Sequence, residues 1–132
     1  MFPMHPRTLK NIQKHNLWEK IHPNIIITNP LGYFDFLALM KNAELVITDS
    51  GGIQEETTFL GVQCLTVRDN TERPVTVDIG TNQLVGTDIS AIISAALEVL
   101  NGKIKKGRIP KLWDGKTAER IVNIIMANSG IT

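Results

Sequence analysis

Glu44-Leu45-Val46-Ile47-Thr48-Asp49-Ser50-Gly51-Gly52-Ile53-Gln54-Glu55-Glu56 holds the sharpest change of character in this chain: an apolar run stops at two glycines and becomes a helix opening. Leu45, Val46 and Ile47 read as a buried strand, too short and too β-branched for a helix. Asp49 and Ser50 are types that favour turns and helix caps, and Gly51 and Gly52 remove the Cβ atoms that would block close approach to the backbone. The helix predicted over Ile53 to Leu60 therefore starts with N–H groups pointing outward. Such an end carries roughly half a positive charge and suits the oxygens of a phosphate or diphosphate. Glu56, beside Gln54 and Glu55 on the same helix, would repel phosphate but could accept hydrogen bonds from the paired hydroxyls of a ribose. Many strand-turn-helix junctions use Asp, Ser and Gly for geometry alone, so the rest of the chain decides between the two readings.

Length and composition narrow the class. At 132 residues the chain is at most one domain, long enough to bury about two thirds of its unfolded surface. Hydrophobic residues make up 42% and charged residues 20%, which argues against disorder. Fourteen basic against thirteen acidic residues leave a net charge of +1, so no strong field draws the protein to nucleic acid or to an anionic membrane. The basic cluster Lys103, Lys105, Lys106, Arg108 and Lys111 reads as a solvated linker between helices. Cys64, the single cysteine, sits in the apolar run 62–67 and reads as a small buried hydrophobe. The amino end has no charged region followed by an apolar core, and no apolar run approaches eighteen residues. A cytoplasmic location is the expectation. His5, His15 and His22 lack partners at ligand spacing, so no metal and no cofactor are expected.

Along the chain, strands alternate with helices. Met1 to Met4 reads as the last residues of a strand, followed by a helix over Arg7 to His15 with Pro6 at its first turn. Asn24 to Thr28 is a second strand, closed by Asn29-Pro30, and Gly32 to Asn42 a helix with Tyr33, Phe36, Leu37 and Met40 at helical spacing. Gly61 stops the helix after the glycine turn, and Val62 to Val67 is the next strand. Arg68 to Pro74 is a polar loop or a short helix start, 80–82 a turn and 83–86 a last strand. Asp88 caps a helix with Ile89, Ile92, Ile93, Ala96, Leu97 and Leu100 on one face. A final helix covers about Lys116 to Ala127, with Ala118, Ile121, Val122 and Ile125 as its stripe. The fold class is α/β, a parallel Rossmann-like sheet in three layers, with ligands expected outside the carboxyl ends of the strands. His5, Asn29-Pro30, 49–52 and 68–73 each follow a strand, so all four are expected on one edge. Together they suggest an anion site built from backbone N–H groups, Ser50 and Arg73.

Four blocks then carry a resemblance. Pro30 to Met40, Thr48 to Glu56, Arg68 to Pro74, and Gly80-Thr81-Asn82 with Leu84-Val85-Gly86 are similar to the non-hydrolysing UDP-N-acetylglucosamine 2-epimerases. His5-Pro6-Arg7 resembles that family's histidine loop, and Asp114-Gly115-Lys116 with Arg120 its last helix start. The resemblance implies an incomplete C-terminal domain of a glycosyltransferase-B-like fold, in which Ser50, Gly51 and Gly52 meet the diphosphate of UDP or UDP-N-acetylglucosamine. It also implies that Glu56 holds the ribose, Phe36 lies against the uracil, Arg73 contacts the ligand near phosphate or sugar, and His5 lies near a regulatory nucleotide-sugar site. The implied reaction inverts C2 of the sugar by eliminating UDP to a glycal and adding it back.

The same resemblance implies that the N-terminal domain with its acid-base carboxylates, and the first strand of this domain, are absent. No catalytic residue is therefore assigned in this chain, which is expected to be inactive alone. The partners implied are a separate N-terminal domain chain and a homo-oligomer. A UDP-binding module or remnant without catalysis, or a fragment of a related glycosyltransferase, are the alternatives. Val75 and Gln63 stand where the family usually has an acidic residue and proline, and both read as minor departures.

Overall fold

The computed structural model describes residues 1–129, and its chain forms two compact units that divide within one helix, Met1–Leu39 and the residues from Met40 onward. The range 1–132 expected as one domain runs three residues past those described. In the first unit, strand β1 (Phe2–Pro3) pairs in parallel with β2 (Ile27–Thr28). Helix α1 (Pro6–Lys14) begins on its proline, where the missing N–H costs nothing. It buries Ile12, and Met4 beside β1 is buried too. A short 3-10 turn at Trp18–Lys20 follows, which no apolar spacing revealed. The strand expected over 24–28 keeps only its last two residues. His22 is the reason: its carbonyl accepts the N–H of Ile25 and its ring the N–H of Asn24, which bends that stretch into a turn. Helix α2 (Tyr33–Lys41) contains the boundary between the units.

The second unit is built on three parallel strands in the order β3 (Leu45–Thr48), β4 (Gln63–Thr66), β5 (Asn82–Leu84). Register places Thr48 opposite Thr66, and Cys64 opposite Asn82. Helix α3 (Gly51–Leu60) packs on all three strands and ends where Gly61 takes the left-handed conformation, φ 74°. β4, in the middle, is buried throughout, whereas β3 is an edge strand: Leu45 and Val46 are half-buried and Ile47 is exposed, contrary to the fully buried strand expected. Burial of a short apolar run requires a neighbour on both sides.

Two helices follow the short α4 (Pro74–Asp78) and β5. In α5 (Ile89–Leu100), Asp88 caps as expected, its Oδ1 accepting the N–H of Ala91 at 2.8 Å. The expected single apolar face is split. Ile92, Ala95, Ala96 and Val99 turn inward at helical spacing, while Ile89, Ile93, Leu97 and Leu100 form a second, exposed stripe. A helix apolar on both sides shows no polar face by which sequence alone could orient it. The stripe on α6 (Thr117–Ser129) is exposed as well, at Ile121, Val122 and Ile125. Arg120 ties the start of α6 to Asp114 through both carboxylate oxygens.

The basic segment after α5 is exposed at Lys103, Lys106, Arg108 and Lys111, as expected of a solvated linker, but it is tied down at Lys105. Gln63 grips the backbone of Lys105 twice, Nε2 donating to its carbonyl at 3.0 Å and Oε1 accepting its N–H at 2.8 Å. The Lys105 ammonium donates to the carbonyls of Asn82, at 2.7 Å, and Val77, and this partial burial lowers its pKa. Gly107 lies so close to Gly80 that a Cβ on it would come within 2.6 Å of the Gly80 carbonyl carbon. Gln63 is thus a structural clamp and no minor departure.

The core beneath α3 is polar. Gln54, Thr57, Thr58, Thr66, Thr76, Thr81 and Asn82 are all buried, against few large apolar side chains. Asn82 is its hub, on β5 and not in the turn expected at 80–82. Its Nδ2 donates to Gln54 Oε1 at 3.1 Å and Thr76 Oγ1 at 3.0 Å, and its Oδ1 accepts from Thr66 Oγ1 at 2.7 Å. Buried polar groups stabilise only while satisfied. Asn82→Ala, which removes three buried hydrogen bonds and leaves Thr66 Oγ1 without its acceptor, is expected to cost about 1–3 kcal/mol by urea unfolding; an unchanged midpoint would show that the network carries no stability. The Arg120 guanidinium holds the Asp114 carboxyl down to about 2. A depressed carboxylate pKa gives a contribution present above the unfolded value and lost as pH falls through the folded one. A carbon-detected titration should therefore find the Asp114 midpoint near pH 2, and Arg120→Leu should return it to about 4.

Candidate functional site

The turn between β3 and α3 brings the expected anion-site residues together. Ser50 is the N-cap by backbone geometry, φ −87° and ψ 130°, but its side chain makes no capping bond. Its own N–H is taken by Thr48 Oγ1 at 3.1 Å. Among the described residues nothing accepts from the N–H groups of Gly51, Gly52 and Ile53, and Ser50 Oγ has no partner. The helix begins at Gly51, two residues earlier than expected, so both glycines belong to its first turn.

Neither glycine is required by the fold. Both have ordinary negative φ, and a Cβ on Gly51 would come no nearer than 3.9 Å to Arg73 Cγ, one on Gly52 no nearer than 4.0 Å to Ser50 Oγ. Alanine would fit in either place and favour the helix. Gly80, by contrast, is required, because a Cβ there would lie 2.3 Å from Thr58 Oγ1 and 2.6 Å from the Thr76 carbonyl. The bare surface at 51 and 52 thus leaves room for a group from outside the described residues.

Arg73 stands beside this surface because the polar core holds its backbone at both ends. Thr71 Oγ1 accepts the Arg73 N–H at 3.0 Å and donates to Gln54 Oε1 at 2.7 Å, while Thr76 Oγ1 donates to the Arg73 carbonyl at 2.7 Å. The guanidinium pairs with Glu55, Nε to Oε1 at 2.9 Å, and donates from Nη1 to the Glu72 carbonyl at 3.3 Å. Glu72 belongs to Arg68, which grips both of its carboxylate oxygens at 3.0 and 3.1 Å. That pairing holds the Glu72 carboxyl below the usual carboxylate range and raises the Arg68 guanidinium.

Glu56 lies on α3 one turn beyond Gly52, half-buried, with no hydrogen bond or ion pair to a described residue. Unpartnered acceptors at that depth are suited to a polyol. His5 and Phe36 lie in the first unit. His5 Nδ1 accepts the N–H of Arg7 at 3.1 Å and so caps α1, and Phe36 is half-buried on α2. In each unit the polar groups do follow their strands, His5 and Asn29 behind β1 and β2, 49–52 and 68–73 behind β3 and β4. Among the described residues no group of three or more His, Cys, Asp or Glu side chains is placed to hold a metal. Gln54, Asn82, Thr71 and Thr76 are positioning residues that the sequence reading passed over. A signal existed for the first: 54, 57 and 58 recur at the spacing of a buried helix face.

Comparison with known proteins identifies the family. A sequence profile described as UDP-N-acetylglucosamine 2-epimerase matches residues 1–126. The enzyme of that name from Methanocaldococcus jannaschii is 48% identical over 127 residues, which are 95% of this chain and 34% of the relative. Its Methanococcus maripaludis counterpart is 45% identical over 127 residues, again 34% of the relative. The M. jannaschii enzyme solved in complex with UDP-GlcNAc and UDP aligns with a TM-score of 0.79 over 96% of this chain and 35% of that one. The Neisseria meningitidis enzyme bound to UDP-GlcNAc aligns at 0.78, with 33% identity over 95% of this chain and 34% of that one. The chain thus spans about a third of the length of the relatives it matches. The profile match over residues 1–126 shows the family: the chain belongs to the UDP-N-acetylglucosamine 2-epimerase family.

Proposed function

We propose that the start of α3 holds the diphosphate of UDP or UDP-N-acetylglucosamine, and that this chain supplies the nucleotide contacts of a 2-epimerase. The supporting observation is the set of unpaired amides at Gly51, Gly52 and Ile53, with open space where the glycine Cβ atoms would be. Ser50 Oγ adds a hydroxyl donor and Arg73 a guanidinium, the two groups that most often meet phosphate oxygens besides the backbone. Glu56 takes the ribose hydroxyls. Phe36 as the platform for uracil and His5 at a regulatory site are carried by the family resemblance alone.

In the reaction this site would serve, UDP leaves the sugar and returns to it as UDP-GlcNAc and UDP-ManNAc interconvert. Negative charge grows on the departing diphosphate, and fixed amide dipoles aimed at it lower the barrier without having to reorganise. The groups that move protons at the sugar belong, on this reading, to the part of such enzymes that the chain does not match. The exposed apolar stripes on α5 and α6 support the view that it works covered by a further body, whether a separate N-terminal domain or other copies. A single buried thiol that forms no disulfide suits the reducing cytoplasm.

Calorimetry with UDP tests the site. Gly51→Ala is expected to leave the melting temperature unlowered, because the space is there, yet to weaken UDP by about tenfold, ~1.4 kcal/mol. Glu56→Ala should weaken UDP and leave inorganic diphosphate, which has no ribose, unaffected. Equal UDP affinity in both variants would place the nucleotide elsewhere. Turnover of UDP-N-acetylglucosamine by the purified chain is expected to be undetectable, and substantial epimerisation without an added partner would overturn the division of labour.

A further inference from the structure

We propose that Glu55 is an internal competitor at this site: its carboxylate occupies the Arg73 guanidinium until the diphosphate of a nucleotide displaces it. The inference rests on the reading of the α3 start as a diphosphate site. Three observations carry it. Glu55 is one turn beyond Gly51, and helical side chains lean toward the N-terminus, so its carboxylate reaches back along the face that Gly51 leaves bare. There it meets Arg73 Nε at 2.9 Å, and Arg73 Cγ in turn lies 3.9 Å from where a Gly51 Cβ would be. The Arg73 side chain thus passes beside the open space at Gly51, where a Glu72 carboxylate oxygen also lies 4.0 Å from the Cβ position, and its guanidinium ends on the Glu55 carboxylate.

The pairing is of a kind that a ligand can exchange. Arg68 holds Glu72 through two parallel hydrogen bonds, but Glu55 has a single ion pair, with the two side chains 40% and 45% exposed. Such pairs are screened and weak, and a diphosphate brings more charge and the added pull of the helix end. The exchange needs no movement of the backbone, since Thr71 and Thr76 hold the Arg73 N–H and carbonyl in place. Only two surface side chains turn. While the site is free of nucleotide, Glu55 keeps Arg73 from adventitious monoanions; the carboxylate thus sets the threshold of charge that a ligand must bring.

The test is calorimetry of UDP with the 132-residue chain and with Glu55→Gln, Glu55→Asp, Arg73→Ala and the double variant Glu55→Gln/Arg73→Ala. Glu55→Gln removes the competing charge, and Glu55→Asp shortens its reach while keeping the charge. Both are expected to bind UDP about two- to fivefold more tightly, the range of a weak surface pair, and the gain of Glu55→Gln should vanish when Arg73 is alanine. Unchanged or weaker binding in Glu55→Gln and Glu55→Asp, with Arg73→Ala still weakened, would overturn the competitor and leave the diphosphate site standing. A gain that persists undiminished without Arg73 would also overturn it, as a general effect of charge. Loss of UDP binding altogether, or an Arg73→Ala variant that binds as the parent does, would overturn the site and the competitor with it.

Discussion

The second unit depends on a hydrogen-bonded carboxamide pair. Gln54 on α3 and Asn82 on β5 meet across the core, and the threonines at 66, 71 and 76 complete the network. Away from water such bonds are strong and directional, and a missing partner is costly, so the arrangement admits few alternatives. Apolar side chains in the same places would fill the space but would not fix where the 68–73 loop attaches. Here the loop is pinned at Thr71 and, through Thr76, at the carbonyl of Arg73. The attachment of Arg73 beside the glycine turn is thus a property of the core.

The two sides of α3 divide the work. Its inner face, at 54, 57 and 58, is buried; Gln54 Oε1 accepts from Thr71 and Asn82 and Thr57 bonds back to the Ile53 carbonyl at 2.7 Å, while Gln54 Nε2 and Thr58 Oγ1 have no partner among the described residues. The first turn is left with open amides, and its neighbouring charges are paired with each other, Arg68 with Glu72 and Arg73 with Glu55. Donors held ready by a rigid core need little reorganisation to meet an anion, which is the physical meaning of a preorganised site. The strap at 105–108 reinforces the far end of the same sheet. Gln63 and the Lys105 ammonium close it over Asn82, and the Gly80–Gly107 contact permits the approach.

Apolar surface tells a complementary story. Ile89, Ile93, Leu97 and Leu100 on α5, and Ile121, Val122 and Ile125 on α6, are more than half exposed in a chain that matches about a third of each relative's length. Stripes of this regularity are seldom left to water. The same residues explain why helix periodicity identified both helices without fixing which row is covered. Period reports that a helix has apolar rows; only a neighbour decides which row is covered.

Local chemistry in the sequence determined the positions of the elements and the bare helix start. Asp88 and Gly61 act within their own turns, and the pair of glycines after Asp49-Ser50 needs no distant contact to leave its amides open. The family signature in 48–56 and 68–74 was readable for the same reason, being confined to short runs. Tertiary structure alone decided that Asn82 is a core hub, that Glu55 holds Arg73, and that Lys105 ties the lysine-rich segment to the sheet. Gln63 and Lys105 are forty-two residues apart, and Gln54 and Asn82 twenty-eight. A buried amide will bond to whichever complementary group the fold brings within about 3 Å, and that choice is set by the path of the chain in space and leaves no periodic trace along it.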